Sequence, residues 1–239
     1  MTRNTFRLLG GNLVILTEFD DDVDDFNRPV QGYLHLTSTK NEYSIKNIML
    51  LPTSTTITSQ EYLALERQAE ERNEYINGEL FAMAGASREH NQILTNLVRI
   101  LGNHLLDSSC QVYSSDMKVK IVPANKYTYP DVLISCDPEE FEDEKEDVLL
   151  NPLVIIEILS PSTEAYDRGK KFFHYQLLNS LVEYLLITQD FCYIEKFVRQ
   201  NDNTWLYSKF HDPDDRVNIG VIGCDLVVSE VYRKVKFKK

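Results

Sequence analysis

Two strand-like apolar runs of this chain each contain one carboxylate, and a lysine follows on the next predicted helix. Asp131 opens the first run, at 131–136, Glu157 lies within the second, at 153–159, and the lysine is Lys171. An ionised carboxylate in an apolar strand is costly unless a cation compensates its charge. A divalent cation held by Asp131 and Glu157, with a lysine beside it, is the arrangement expected for phosphodiester hydrolysis. A structural ion pair of Glu157 and Lys171 is the alternative.

The predicted helix at 167–178 places a charged stripe beside this pair. Asp167, Lys171 and Tyr175 are spaced i, i+4 and i+8, so their side chains share one face. We expect Lys171 to neutralise charge on the scissile phosphate or to orient the attacking water, with Asp167 and Tyr175 as supporting residues. The structural alternatives are a surface Asp–Lys pair and a core tyrosine. His90, in the first turn of a predicted helix at 87–106, is favoured as a capping or structural histidine over a functional one.

The surrounding pattern predicts an α/β fold. The almost continuously apolar run at 153–159 is typical of a central strand of a sheet that is covered on both faces. Glu157 interrupts one face of it near the carboxyl end, where ligand sites of open α/β sheets lie. Thr58 and Glu61 form a capping-box pattern for a helix at 58–72. Asn77 and Gly78 predict the tight turn of a hairpin at 74–83, which carries Glu74 and Glu79 on its two strands.

The charge of the chain bears on its partners. The 239 residues have a formal net charge of −12, and the segment 137–147 (DPEEFEDEKED) contains eight acids. Phosphate contacts need local positive charge, so this balance argues against nucleic-acid binding unless the cleft itself is basic. It favours an alternative function, a catalytically silent module that binds nucleic acid or protein.

The cysteines and the absence of targeting signals bear on location. Four widely spaced cysteines, without CxxC or a nearby histidine pair, predict neither a zinc site nor a disulfide framework. Cys136 and Cys192 lie in or beside apolar runs and are expected to be buried as small hydrophobes. No apolar run is long enough to span a membrane, and the first residues do not resemble a signal peptide. The prediction is a cytoplasmic protein.

The first 48 residues differ from the rest of the chain. Short strands are predicted at 13–16, 32–36 and 43–45, and no helical period is visible. Met49 then opens a segment that looks like a natural protein start. Residues 1–48 are therefore predicted to be either an appended β-rich element or a non-native or upstream extension, and residues 49–239 the functional domain.

Three blocks of sequence carry a resemblance to a known family. They are GEL-x-x-MAGAS-x-x-H at 78–90, YPDVLISCD at 129–137 and NPLVIIEILSPSTEAYDRGKKFFHYQ at 151–176. These blocks resemble the Uma2 family, also called DUF820, which is abundant in cyanobacteria, and the resemblance covers residues 55–199. It implies a restriction-endonuclease-like fold of the PD-(D/E)XK superfamily, with a mixed central sheet flanked by helices.

The resemblance also implies a site and an activity. Asp131 and Glu157 match the two acids of the superfamily motif, and Glu74 matches an early glutamate that completes many such metal sites. The usual lysine two residues after the second acid is absent, because Leu159 stands there, and Lys171 in DRGKK is the matching position in this family. The implied activity is that of a Mg²⁺- or Mn²⁺-dependent DNA endonuclease. That inference rests on analogy of fold. A homodimer is also expected, because two symmetric active sites easily cleave both strands of a duplex.

Overall fold

The elements of the chain belong to two units divided after Thr55. The computed structural model describes residues 3–9, 12–18, 56–83 and 85–237. In the first unit, strands β1 (Arg3–Leu9) and β2 (Asn12–Glu18) pair antiparallel. The choice between an appended β-rich element and a non-native or upstream extension stays a prediction. The strand predicted at 13–16 lies within β2, and those predicted at 32–36 and 43–45 lie outside the described residues.

The second unit contains helices and strands in the order expected of an α/β fold. Its elements are α1 (Ser59–Glu66), β3 (Asn73–Ile76), β4 (Glu79–Ala82), α2 (Arg88–Leu105), β5 (Cys110–Ser114), β6 (Lys118–Ile121), β7 (Lys126–Thr128), β8 (Val132–Cys136), β9 (Val148–Leu149), β10 (Val154–Leu159), α3 (Glu164–Tyr166), a π-helical turn (Asp167–Lys171), α4 (Phe172–Tyr175), β11 (Glu183–Thr188), β12 (Ile194–Arg199), β13 (Trp205–Phe210), β14 (Arg216–Ile219), β15 (Cys224–Val227) and α5 (Val228–Val231). Among the described residues, every helix is too short or too polar to cross a bilayer.

The central sheet is mixed, as predicted. Its six strands follow the order β13-β12-β11-β10-β8-β5, in which β10 and β11 are parallel and the other neighbours antiparallel. All six residues of β10 are buried, in agreement with its apolar sequence. One face of the sheet packs against α2 and α5 through Leu97, Leu101 and Ile156. The other face packs against the helical segment 164–175 through Ile155, Phe172 and neighbouring side chains.

A second sheet of this unit contains the hairpin formed by β3 and β4. Its strand order is β4-β3-β7-β6-β9, with β6 and β9 parallel. The hairpin of β3 and β4 turns at Asn77 and Gly78, both of which have positive φ angles (49° and 99°), as the predicted two-residue turn requires. Strand β3 carries Glu74, and β7 leads directly into Asp131. The two sheets therefore deliver acids from separate parts of the chain to one region.

The helices differ from their predictions at their ends. The capping box of Thr58 and Glu61 is present, but α1 ends at Glu66 rather than near residue 72. The carboxylate of Glu66 accepts hydrogen bonds from the backbone N–H of Asn73 (2.8 Å) and from the hydroxyl of Tyr129 (2.8 Å). These bonds turn the chain back into β3. The helix predicted at 167–178 spans 164–175, and its middle is π-helical, a form that often occurs at functional sites.

The prediction that the cysteines form no disulfide is wrong for one pair. Cys110 of β5 and Cys136 of β8 face each other in the antiparallel register and are joined by a disulfide. Cys136 is therefore not a free buried thiol. Cys192 is half-buried and Cys224 buried, and both are free. The two cysteines are 26 residues apart, and their pairing could not be predicted because the sequence alone does not show the register of β5 on β8.

Candidate active site

Glu157 lies near the carboxyl end of β10 and is 2% exposed. Its Oε1 accepts a hydrogen bond from the hydroxyl of Tyr175 (2.8 Å) and lies 2.9 Å from Nζ of Lys171. Both partners come from the helical segment 164–175, which packs on this face of the sheet. Both contacts are made to Oε1, so Oε2 is the atom that these two side chains leave for a further ligand.

Lys171 is surrounded by carboxylates. Its Nζ lies 2.9 Å from Glu157, 3.4 Å from Oε1 of Glu74 and 3.6 Å from Oδ1 of Asp167. All four side chains are buried. The i, i+4 spacing of Asp167 and Lys171 thus forms a buried pair within the π-helical turn, and the surface-pair alternative is wrong.

Asp131 joins this group from the start of β8. Its Oδ2 accepts a hydrogen bond from the backbone N–H of Ile158 (2.7 Å), the residue after Glu157. Its Oδ1 lies 3.2 Å from Nε2 of His90, whose backbone N–H is bound by the side chain of Ser87 at the start of α2. The Asp131 carboxylate therefore lies against β10 beside Glu157. Its second oxygen, Oδ1, is held by His90.

Glu74 reaches the same region from β3 and is held by residues that the motif reasoning missed. Thr128 donates a hydrogen bond to its Oε1, and the hydroxyl of Tyr166 donates one to its Oε2 (3.2 Å). Nζ of Lys126 lies 3.6 Å from the same Oε2. One signal was available in the sequence: Lys126 is a charged residue in a strand that is otherwise aromatic and hydroxylic, KYTYP, and a buried lysine requires a partner.

The electrostatics of the site show an excess of negative charge. Burial, together with the charges of Asp167 and Asp131, raises the pKa of Glu157 to about 8 even though Lys171 opposes the shift. Burial is also the main cause that raises the pKa of Asp167. The neighbouring carboxylates, Glu157 first, outweigh burial and hold the pKa of Lys171 well above its usual value. The ammonium of Lys171 therefore stays charged, while Glu157 is the carboxylate that competes for a proton.

The pKa of Glu74 is shifted in the opposite direction from that of Glu157. Its burial would raise its pKa, but Lys171, Lys126 and the hydroxyl of Thr128 together lower the pKa to about 2. Glu74 is thus fully ionised and satisfied by the protein itself. The unfavourable negative charge, shown by the raised pKa values, is concentrated at Glu157 and Asp167, which is the part of the cluster where an added cation would be stabilised.

The donor set agrees with Mg²⁺ or Mn²⁺. Across residues 56–83 and 85–237, no three acidic, histidine or cysteine side chains converge closely enough to surround an ion. Mg²⁺, however, commonly takes only one or two carboxylates and completes its octahedron with water and phosphate oxygens. Asp131 and Glu157 would supply hard oxygen ligands of this kind, and the excess of carboxylates around Lys171 fits a divalent cation.

Comparison with known proteins places the chain among bacterial sequences of one family. A family model described as "Uma2: Putative restriction endonuclease" matches residues 59–228. Two uncharacterised Synechocystis proteins are similar to it: slr1290 is 35% identical over 76% of this chain and 94% of its own length, and sll1609 is 37% identical over 68% and 92%. All of the candidate site residues fall inside the matched range.

A solved structure has the same fold. The crystal structure of a "putative nuclease belonging to DUF820" from Anabaena variabilis superposes with a TM-score of 0.61. The match covers 74% of this chain and 97% of the other, at 21% sequence identity. At that identity the likeness shows the fold alone, and it confirms the predicted mixed central sheet flanked by helices.

Proposed function

Because the chain belongs to the Uma2 family, we propose that it hydrolyses phosphodiester bonds of DNA with the help of Mg²⁺ or Mn²⁺. The observation that carries the proposal is the meeting of Asp131, Glu157 and Lys171, from three separate elements, in one cluster in which Glu157 and Lys171 are buried and Asp131 is half-buried. Structural ion pairs usually balance their charges, whereas this cluster holds more carboxylates than ammonium groups. A metal-dependent hydrolase needs that imbalance, since the ion neutralises it.

Each residue has a role in the proposed reaction. Asp131 and Glu157 would hold the ion, with Glu74 as a further ligand if its carboxylate turns from its present partners. When bound, the ion would supply positive charge to the phosphate and acidify a water molecule. Lys171 stabilises the negative charge that develops on the scissile phosphate, and Tyr175 fixes the Glu157 carboxylate by its hydrogen bond. His90 holds Asp131 in the orientation that the ion requires.

Part of the charge of the acid-rich segment is balanced locally in the folded protein, while the net charge of the chain stays at −12. Part of the acid-rich segment 137–147 is paired internally: Arg67 lies 2.8 Å from Asp143 and 2.6 Å from Asp147, and Lys118 lies 3.0 Å from Asp147. These pairs neutralise acids that would otherwise repel a phosphate backbone.

The proposal is tested by a cleavage assay with plasmid and single-stranded DNA, using Mg²⁺, Mn²⁺ or EDTA. We expect the wild-type protein to cleave only with metal and the Asp131→Asn variant to lose about 10²-fold or more of that activity, since one preorganised charge is removed. Asp225→Asn is the control, because Asp225 is an exposed acid of β15, outside the site, and its carboxylate accepts a hydrogen bond from the side chain of Asn218 on β14. Folded wild-type protein that cleaves neither DNA with either metal would favour the alternative of a silent binding module.

We further propose that the protein acts as a homodimer in the cytoplasm. Two symmetry-related sites are a simple means of cutting both strands of a duplex. Disulfides are uncommon in that compartment, so the Cys110–Cys136 bond is the observation that weighs against this location. Light scattering checks the assembly: the mass of a single chain, with and without DNA, would contradict the dimer.

A further inference from the structure

A second lysine lies beside the site and has no place in the family motif. Lys126 of β7 is completely buried. Its Nζ lies 2.7 Å from the hydroxyl of Tyr166, to which it donates a hydrogen bond, and 3.6 Å from Oε2 of Glu74. Burying a charged lysine is costly unless its charge is paired, and a carboxylate lies within ion-pair distance of this one.

That carboxylate belongs to Glu74, whose two oxygens are held from opposite sides. Oε2 faces Lys126 and Tyr166, whereas Oε1 faces Thr128 and the ammonium of Lys171 at 3.4 Å. Glu74 therefore shares its charge between two lysines. Lys171, in turn, lies closer to Glu157 (2.9 Å) than to Glu74.

We infer that Lys126 is a positioning residue of the site, which holds Glu74 so that the ammonium of Lys171 stays against Glu157. This inference rests on the proposed function, because it concerns the placement of the lysine that would meet the scissile phosphate. Without Lys126, Glu74 is a buried carboxylate with one cationic partner left. Lys171 is then drawn towards Glu74, since the attraction between buried charges is weakly screened.

Loss of Lys126 should lower turnover without weakening metal binding. In Lys126→Met we expect kcat to fall about 10- to 100-fold, the range typical for loss of a residue that orients a direct participant. We expect the affinity for Mn²⁺, measured by calorimetry on the purified protein, to be unchanged or higher, because the variant removes a positive charge near the ion. A purely structural loss would weaken metal binding and turnover together.

Lys196→Met is the matched control. Lys196 is a buried lysine that lies 2.8 Å from the buried carboxylate of Glu183, outside the site. The same chemical change there should destabilise the fold comparably and leave kcat and Mn²⁺ affinity as in the wild type. Tyr166→Phe is the gentler second variant, since it removes only the hydroxyl that links Lys126 to Glu74, and it should lower kcat in the same direction by a smaller factor.

Each outcome decides the inference separately from the proposed function. Wild-type protein that neither binds Mn²⁺ nor cleaves DNA would overturn the function itself. An active wild type with Lys126→Met at full kcat would overturn only the role of Lys126. A variant that loses Mn²⁺ affinity along with kcat would also overturn it, because Lys126 would then support the fold of the site and not the placement of Lys171.

Discussion

Replacing Glu157 by Gln is expected to reduce metal-dependent DNA cleavage by about 10³-fold or more, which corresponds to about 4 kcal/mol of lost transition-state stabilisation. Gln keeps the shape of the side chain and an oxygen that can accept the hydrogen bond of Tyr175. It removes the negative charge that would hold the ion. Calorimetric binding of Mn²⁺ should therefore be lost together with cleavage.

The loss must come from the site and not from unfolding. Glu183→Gln is the control, because Glu183 of β11 is 1% exposed and lies 2.8 Å from Lys196, a buried pair on the strand next to β10. We expect this variant to cleave DNA and bind Mn²⁺ as the wild type does. Wild-type cleavage by Glu157→Gln would show that Glu157 is only part of a structural ion pair.

Glu157→Gln should also change how the stability of the protein depends on pH. The direction of that change follows from the raised pKa of Glu157. The folded pKa is about 8, whereas an unfolded glutamate titrates near a pKa of about 4.3. Between these values the folded state binds more protons than the unfolded state, so the free energy of unfolding falls as pH rises. Without metal, urea unfolding of the wild type should therefore lose stability from pH 5 to pH 8 relative to Glu157→Gln. If the free energy of unfolding of the two proteins depended on pH in the same way, the pKa of Glu157 would not be raised in the folded state.

The sequence predicted the central part of this arrangement because its signals are local. An acid inside an apolar strand identifies Glu157, and the i, i+4 spacing after that strand identifies Asp167 and Lys171. The turn at Asn77 and Gly78 was predictable for the same reason, since the positive φ angles required there strongly favour these residue types.

Other features depend on contacts between distant segments, and the sequence does not show those. Lys126 and Tyr166 meet at Glu74 only because β7 pairs with β3 and the helical segment 164–175 packs beside them. Cys110 and Cys136 form a disulfide because of the register of β5 on β8. Helix α1 ends early because Glu66 binds Asn73, a contact made after the chain has turned. Pairing and register are properties of the whole fold, so no single segment reveals them.

Replacing Lys171 by Met is expected to separate catalysis from metal binding. Cleavage at saturating Mn²⁺ should fall by about 10²- to 10³-fold, as for the loss of one preorganised group that stabilises charge in the transition state. The affinity for Mn²⁺ should be kept or increased, because an ammonium 2.9 Å from Glu157 no longer competes with the ion. Glu157→Gln, by contrast, should lose both properties.

Removal of Lys171 should also destabilise the protein strongly when metal is absent. The variant leaves Glu157, Glu74 and Asp167 buried without their shared cation, and breaking a buried ion pair in this way costs about 3–5 kcal/mol. Urea unfolding measures that loss, and Lys196→Met should show a loss of similar size with normal cleavage. Added Mn²⁺ should stabilise Lys171→Met more than the wild type, because it compensates the negative charge of the buried carboxylates that have lost Lys171. If Lys171→Met were destabilised but cleaved DNA normally, the lysine would serve the fold alone, and the cation that meets the phosphate would have to be sought elsewhere in the site.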